Sequence, residues 1–476
     1  MKPPVAQTSA RAAPHLAPVW VSLAAACLLV CAGCASLPDA AREVDAPRSQ
    51  TVAFEGARGP VSEARSETIL DRLEGATGDS DILQKHLLME QAINADSPLV
   101  LGNRLTLLQD GPATYRAMFA AMRAARDHIH LETYIFEDDD IGRQFAALML
   151  ERQAAGVEVN LIYDSVGCLE TPAAFFDRLR AGGIQVLEFN PVNPLARKSK
   201  AWRLNNRDHR KLLVVDGRVA FIGGINISAS YSSAPSRRSA AKPGAGAPGW
   251  RDTHLQIEGP VVAEFQKLFL DTWHKQKGPP LADRQHFPPL DKQGDDIVRA
   301  IGSASADPYS LIYLTLLSAI NSAERRIHLA NAYFVPDPQL LQALVDAARR
   351  GVEVKLVLPG RTDSWATFHA GRSHYTALLR AGVKIYERRG AVMHSKTASI
   401  DGVWSTVGST NLDWRSFLHN DEINASILGR DFSRQMDAMF ARDLAESDAI
   451  ELERWERRSP MLRLQEGAAR ILEYWL

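Results

Sequence analysis

From residue 105 onward the apolar positions switch back and forth between two periods, and the chain reads as alternating strand and helix. Residues 105–108 form a short apolar run of strand length, and residues 115–125 space their apolar side chains as a helix does. Residues 128–136 are a strand that runs into the acidic stretch Asp138, Asp139, Asp140. Helical spacing returns over 142–155 and stops at Gly156, a usual residue for a helix C-terminus. A strand over 157–163, a helix over Ala173–Ala181 and a strand over 184–189 follow. Such alternation predicts an α/β fold with a largely parallel sheet covered by helices.

The pattern then repeats. Ala-Glu-Arg-Arg-Ile-His-Leu ending at Leu329 echoes Ala-Arg-Asp-His-Ile-His-Leu ending at Leu131. Gly351-Val-Glu-Val-Lys-Leu echoes Gly156-Val-Glu-Val-Asn-Leu. The offset drifts between copies, as loop insertions would cause. We read an internal duplication: a first domain over 67–278, a proline-rich joint over 279–295 and a second domain over 296–458. Two such copies can pack about a pseudo-twofold axis. An insertion over 232–249, nearly without apolar residues, predicts a mobile loop near any site that its flanks build. Residues 459–476 carry an apolar helical stripe with Arg463 and Arg470; it suits packing on the body or lying in a membrane interface.

The N-terminus has a different pattern. Lys2 and Arg11 precede an apolar run over 19–30, which ends in Cys31-Ala-Gly-Cys34-Ala. Charged start, short apolar core and small residues predict a secretory signal over 1–33. Ala-Gly-Cys is also the ending of a bacterial lipobox, which would make Cys34 the acylated first residue of an exported protein. Cys31 stands where that pattern prefers Leu. Ala35 favours the inner leaflet of the outer membrane. Residues 34–66, rich in Ala, Pro, Arg and Ser, predict a flexible tether.

Composition adds three constraints. With 46% apolar residues in 476, the chain can bury sizeable cores. A net charge of −1 advertises no nucleic-acid partner, though a local basic groove stays compatible with it. Once a signal is removed and Cys34 acylated, only Cys168 is left free, so no internal disulfide is expected. Cys168, in a turn after a strand, reads as a small buried residue.

One chemical pattern occurs twice. His209-Arg-Lys211-Leu-Leu-Val-Val-Asp216 is followed by Gly223-Gly224-Ile-Asn226, and His394-Ser-Lys396-Thr-Ala-Ser-Ile-Asp401 by Gly408-Ser409-Thr-Asn411. The same 185 positions separate His209 from His394 and Asn226 from Asn411. In each copy His and Lys are two apart, on one face of a strand. The dipeptides Asp216-Gly217 and Asp401-Gly402 predict tight hairpin turns. Each copy thus directs an imidazole, an ammonium and a carboxamide to one place, a set suited to phosphate. Asp216 and Asp401 divide evenly between turn geometry and a part in the chemistry. Asp252 and Glu422 are candidates to orient the histidines. His254 and His419 are candidates to line the site, while His128, His130 and His328 look structural.

These two HxKxxxxD…G(G/S)xN copies resemble the phospholipase D superfamily, over roughly residues 99–458. Within it the stretches His130–Phe136, Arg207–Leu212, Trp250–His254 and Asn411–Phe417 look most like bacterial cardiolipin synthase. Gly224 departs from the Ser of many members, which removes a hydroxyl contact from the first half. The resemblance implies two phospholipase D-like α/β sandwich domains and phosphatidyl transfer through a phosphatidyl-histidine. It makes His209 the nucleophile and His394 the acid and base, although spacing alone leaves these roles exchangeable. Lys211, Lys396, Asn226, Ser409 and Asn411 would hold the phosphoryl group. No metal or other cofactor is implied. The expected partners are phospholipids, namely phosphatidylglycerol, with phosphatidylethanolamine as a second candidate, at a membrane surface; no nucleic acid is expected. Hydrolysis to phosphatidic acid is the alternative, ahead of a nuclease or a non-catalytic lipid binder.

Overall fold

The duplication shows first in strand order. The computed structural model describes residues 37, 52–75, 80–94, 97–193, 195, 203–233, 235 and 249–476. After a short β1 (Phe54–Gly56), the first half supplies β2 (Leu99–Gln109), β3 (His128–Thr133), β4 (Glu158–Asp164), β5 (Gln185–Phe189), β6 (Lys211–Val215), β7 (Val219–Gly223) and β8 (Thr253–Glu258). Their lateral order is β5-β4-β3-β6-β7-β8-β2. The second half supplies β9 (Asp296–Ser303), β10 (Arg326–Asn331), β11 (Glu353–Pro359), β12 (Lys384–Arg388), β13 (Lys396–Ile400), β14 (Trp404–Gly408) and β15 (Asn420–Leu428). Their order, β12-β11-β10-β13-β14-β15-β9, is the same. The equivalent strands β2 and β9 then pair antiparallel, Asn103 with Asp296 and Val100 with Val298, as a local twofold requires.

The sheet is mixed, which corrects the largely parallel expectation. Within the seven strands of each half, only β3, β4 and β5, and likewise β10, β11 and β12, run parallel to one another. The other neighbours within each half are antiparallel, and each motif strand turns back on itself through a three-residue connection. Asp216 and Gly217 have φ of 53° and 62°, and Asp401 and Gly402 have 54° and 70°. Two successive positive φ values match the right-handed twist of the flanking strands.

Those hairpins also correct the placement of Asp216 and Asp401 among catalytic groups. The Asp216 carboxylate accepts the backbone N–H groups of Arg126, Asp127 and His128 at 2.9, 2.8 and 3.0 Å. Asp401 does the same for Glu324, Arg325 and Arg326 at 3.0, 2.8 and 3.0 Å. Each aspartate therefore ties the far end of its motif hairpin to the chain entering β3 or β10. Orphan amides at a chain entry need acceptors, and a carboxylate fills that need.

The halves share one interior. Val100, Ile162, Leu212, Ile222 and Phe265 pack in the same cluster as Val298, Val407, Ile423, Phe432 and Met436. The described residues from 52 to 476 accordingly form one compact unit rather than two separable lobes. The joint is fastened down as well: Leu281 and Leu290 pack against that shared cluster, and the Ala282 N–H donates to Glu158 at 2.9 Å.

Two further expectations meet the structure. Part of the presumed tether is folded, since Phe54 is buried and pairs with Leu99, and a helix begins at Glu63. A strand three residues long leaves no period to detect. The predicted signal, Cys34 and residues 38–51 lie outside the described residues, as does most of the 232–249 insertion. At the other end, helix Pro460–Arg470 packs on helix Trp365–Ser373, burying Ala469 and Glu466 and leaving Met461 and Leu464 exposed.

Candidate active site

The two motif histidines face one cavity of about 350 Å³. Each is delivered by a chain segment that enters its motif strand after bonding to the opposite half. The His209 N–H donates to Asp421 O at 2.9 Å, next to a parallel pairing of Arg207–Asp208 with Asn420–Asp421. The His394 N–H donates to Arg251 O at 2.7 Å. This stitching carries a carboxylate across the dyad to each imidazole.

His209 Nδ1 lies 3.0 Å from both oxygens of Glu422, and His394 Nδ1 lies 2.7 Å from Asp252 Oδ2. A carboxylate only accepts, so each Nδ1 carries the proton and each Nε2 keeps its lone pair for the cavity. The candidates Asp252 and Glu422 therefore stand where an orienting group must. Each serves the histidine of the other half.

The two acceptors are built differently. Glu422 receives the Ser409 hydroxyl and the Asn420 amide, the latter at 3.1 Å. Asp252, one methylene shorter, lies against Gly224: a Cβ there would stand 2.2 Å from Asp252 Oδ1. Glycine at 224 and serine at 409 are thus matched to carboxylates of different reach. The missing hydroxyl of the first half makes room for the shorter acid.

Lys211 and Lys396 sit below the imidazoles. Each Nζ donates to the main-chain carbonyl of its own histidine at 2.6 Å, and neither reaches the cavity wall. Burial lowers Lys211 to about 7 and Lys396 to about 8. Burial, reinforced by Lys211 and Lys396, holds His209 well below its usual value. His394 is lowered by burial and Lys396, with Asp252 opposing. Burial raises Glu422 to about 7 against the pull of Lys211.

Asn226 and Asn411 line the cavity as expected. Asn226 is held by the Ile135 N–H and by Tyr231, whereas Asn411 Oδ1 has no protein partner. His254 and His419 do not line it; the His254 ring is buried beside Gly223. His130 stacks on Phe269 and His328 on Phe440, both in structural roles. The Cys168 thiol is buried and accepts the Phe136 N–H at 3.2 Å, with burial pushing its pKa up.

Several wall residues escaped the sequence reading. Tyr134 lies edge-on to His209, and the Tyr231 hydroxyl is 3.2 Å from His394 Nδ1. Trp250 packs on His394, while Tyr333 donates to Asp363 at 2.6 Å. Arg415, Trp475 and Leu476 complete the mouth. Trp250 and Arg415 lay within stretches already singled out, but nothing marked which side chain would face the cavity. Among the described residues no group of His, Cys, Asp and Glu is arranged to hold a metal ion.

The arrangement can support two-step displacement at phosphorus: one bare imidazole attacks while the other handles the proton of the leaving and entering alcohols. Comparison with known proteins agrees in family and fold. Residues 118–234 and 316–444 match the family described as "Cardiolipin synthase, PLD-like domain". A cardiolipin synthase of Geobacillus kaustophilus is 35% identical over 378 residues, covering 79% of this chain and 73% of the relative. Cardiolipin synthase A of Pseudomonas aeruginosa is 35% identical over 377 residues, with the same coverage. Among solved structures, a phosphatidylserine synthase of Haemophilus influenzae shares the fold, with TM-score 0.58 at 11% identity, over 78% of this chain and 95% of that one.

Proposed function

The chain belongs to the cardiolipin synthase family of phospholipase D-like proteins, and on that premise we propose the following course for its reaction. It is a phosphatidyltransferase that makes cardiolipin. His209 Nε2 attacks the phosphorus of a bound phospholipid, the bond to the head-group oxygen breaks, and His394, entering this step as the imidazolium that Asp252 supports, gives that oxygen the proton from its Nε2. The product is a phosphatidyl-histidine. The free hydroxyl of phosphatidylglycerol then loses its proton to His394 and attacks phosphorus, breaking the P–N bond and restoring neutral His209. Asn226 and Asn411 hold the phosphoryl oxygens, with Lys211 and Lys396 supplying positive field from below.

The observation that carries this reading is the reciprocal pairing of His209 with Glu422 and His394 with Asp252 around one cavity. It gives each imidazole a supporting acceptor at Nδ1 and turns each Nε2 to the cavity, free to attack on His209 and free to exchange a proton on His394. The deeper pull on His209, which has Lys211 and Lys396 beside it, favours it as the nucleophile. The test is product analysis by mass, using purified full-length protein with vesicles of phosphatidylglycerol, alone and mixed with phosphatidylethanolamine. Cardiolipin plus a released alcohol is expected, and the alcohol names the donor. Phosphatidic acid alone would replace this reading with hydrolysis.

The substrate is proposed to arrive from a bilayer surface. Trp365 follows the cavity residue Ser364 in sequence, and Ile471 and Leu472 shortly precede the cavity residue Trp475; all four apolar side chains are exposed. No helix among the described residues is long and apolar enough to span a membrane. Attachment through an acylated Cys34, facing the periplasm, is the proposed anchor. Labelling with radioactive palmitate that disappears in Cys34→Ala would support it, and label retained in that variant would refute it.

A further inference from the structure

Duplication separates what the reacting phosphate needs from what it does not. Both imidazoles, both lysines, both asparagines and both acidic acceptors occur once per half. A phosphoryl group between the two histidines lies on the local twofold and is served by these pairs. A group present in one half only serves something placed to one side.

Arg415 is such a group. It is the only lysine or arginine among the described residues lining the cavity. The 185-residue offset that relates Asn226 to Asn411 puts Ser230 at its counterpart position. Its guanidinium is aimed by neutral partners: Nη1 donates to Asn205 Oδ1 at 2.9 Å and Nη2 to Asn205 O at 3.5 Å. Its backbone N–H donates to Leu476 O at 3.0 Å, which fixes the start of the side chain. Its neighbour Asp413 spends its carboxylate on the Ser416 N–H at 2.8 Å as a helix cap. No carboxylate of a described residue lies within ion-pair distance of Arg415. A half-buried guanidinium without a counter-ion is an open place for an anion, and its planar fork suits a phosphodiester.

Resting on the transferase reading above, we propose that Arg415 binds the second phosphate, the one already present in the acceptor phosphatidylglycerol. That acceptor brings a phosphodiester of its own, three carbons from its attacking hydroxyl, into a cavity already holding a phosphoryl group. Without a cation the second anion would be desolvated beside the first. Water and simple alcohols carry no such group, so Arg415 acts on the choice of acceptor and not on formation of the phosphatidyl-enzyme.

The test is a partition experiment. Full-length protein is given phosphatidylglycerol vesicles and a fixed concentration of methanol, so that acceptor lipid and methanol compete for one intermediate. Arg415→Ala is expected to lower the ratio of cardiolipin to phosphatidylmethanol by roughly 10- to 100-fold, the span of a lost charge-assisted hydrogen bond. Total glycerol release should stay within about threefold, which also reports that the variant folds. Arg415→Lys should fall between the two. An unchanged ratio, with or without a drop in total release, overturns the proposal, because Arg415 would then serve the reacting phosphate or the fold. If the parent protein yields phosphatidic acid and no cardiolipin, the transferase reading itself has failed, and this inference falls with it.

Discussion

The first half of the site pairs glycine with aspartate, and the second pairs serine with glutamate. Gly224 leaves room for Asp252, whose carboxylate would lie 2.2 Å from a Cβ at that position. Ser409 donates its hydroxyl to Glu422 and so holds the longer acid in place. Both acids reach the opposite histidine at similar range, 2.7 and 3.0 Å. Equivalent function has therefore been kept by paired substitution of unlike residues. The surroundings have meanwhile diverged: Tyr231 touches His394, and Arg415 has no counterpart in the first half. Two copies that keep the same acceptor distance but differ in what surrounds it are suited to two tasks, nucleophile and proton carrier.

The largest expected effect breaks the comparison outright. His209→Ala and His394→Ala should each lose at least about 1,000-fold in turnover, since neither step has a substitute. They should differ in kind: with an activated leaving group, His394→Ala alone should accumulate a phosphatidyl adduct, seen in intact-protein mass. An adduct in His209→Ala instead would exchange the two roles.

Next come the crossed acceptors. Glu422→Gln and Asp252→Asn should each cost on the order of 100-fold in kcat, because the amide no longer fixes the tautomer that frees Nε2. If either acid works on the histidine of its own half, combining Glu422→Gln with His394→Ala would be strongly non-additive; the crossed pairing predicts that behaviour for Glu422→Gln with His209→Ala.

The matched pairs give a smaller and more pointed test. Gly224→Ser should push Asp252 off His394 and cost about 10- to 100-fold, as an ångström-scale misplacement does. Adding Asp252→Glu should recover part of that loss by rebuilding the second-half pattern; a double variant worse than Gly224→Ser would refute the matching. Ser409→Gly removes one hydrogen bond to a buried carboxylate and should cost about 1–2 kcal/mol of stability in a denaturant titration.

The mildest effect is in pH. Glu422 must be ionised to accept from His209, and Lys396 must be protonated to contribute its charge. With Glu422 raised to about 7 and Lys211 and Lys396 lowered to about 7 and about 8, kcat/KM should trace a narrow bell, rising as Glu422 ionises and falling from about 7 to 8 as the two lysines lose their protons. Glu422→Gln should remove the acid limb. A profile flat from pH 6 to 9 would contradict the assignment.

Much of this was readable in the letters, for a physical reason. A duplicated pattern is a second measurement of the same site, so His209, His394, Asn226 and Asn411 stood out, and Asp252 and Glu422 followed from nearness to it. At Asp216 and Asp401 the same pattern left turn geometry and chemistry evenly open. Recurrence marks a shared need without saying whether that need is chemical or architectural, and here Asp216 and Asp401, five residues beyond Lys211 and Lys396, each hold an amide-rich chain entry. The parallel sheet was overestimated because alternation of strand and helix does not reveal strand direction once hairpins intervene. Arg415 and Trp475 at the cavity, and Tyr231 behind His394, were beyond reach since their places depend on where helices dock, which no local period encodes.

The crossed wiring has a consequence during synthesis. His209 leaves the ribosome 213 residues before Glu422, the acceptor that sets its tautomer. A growing chain therefore holds an unarmed nucleophile until β15 has paired across the molecule.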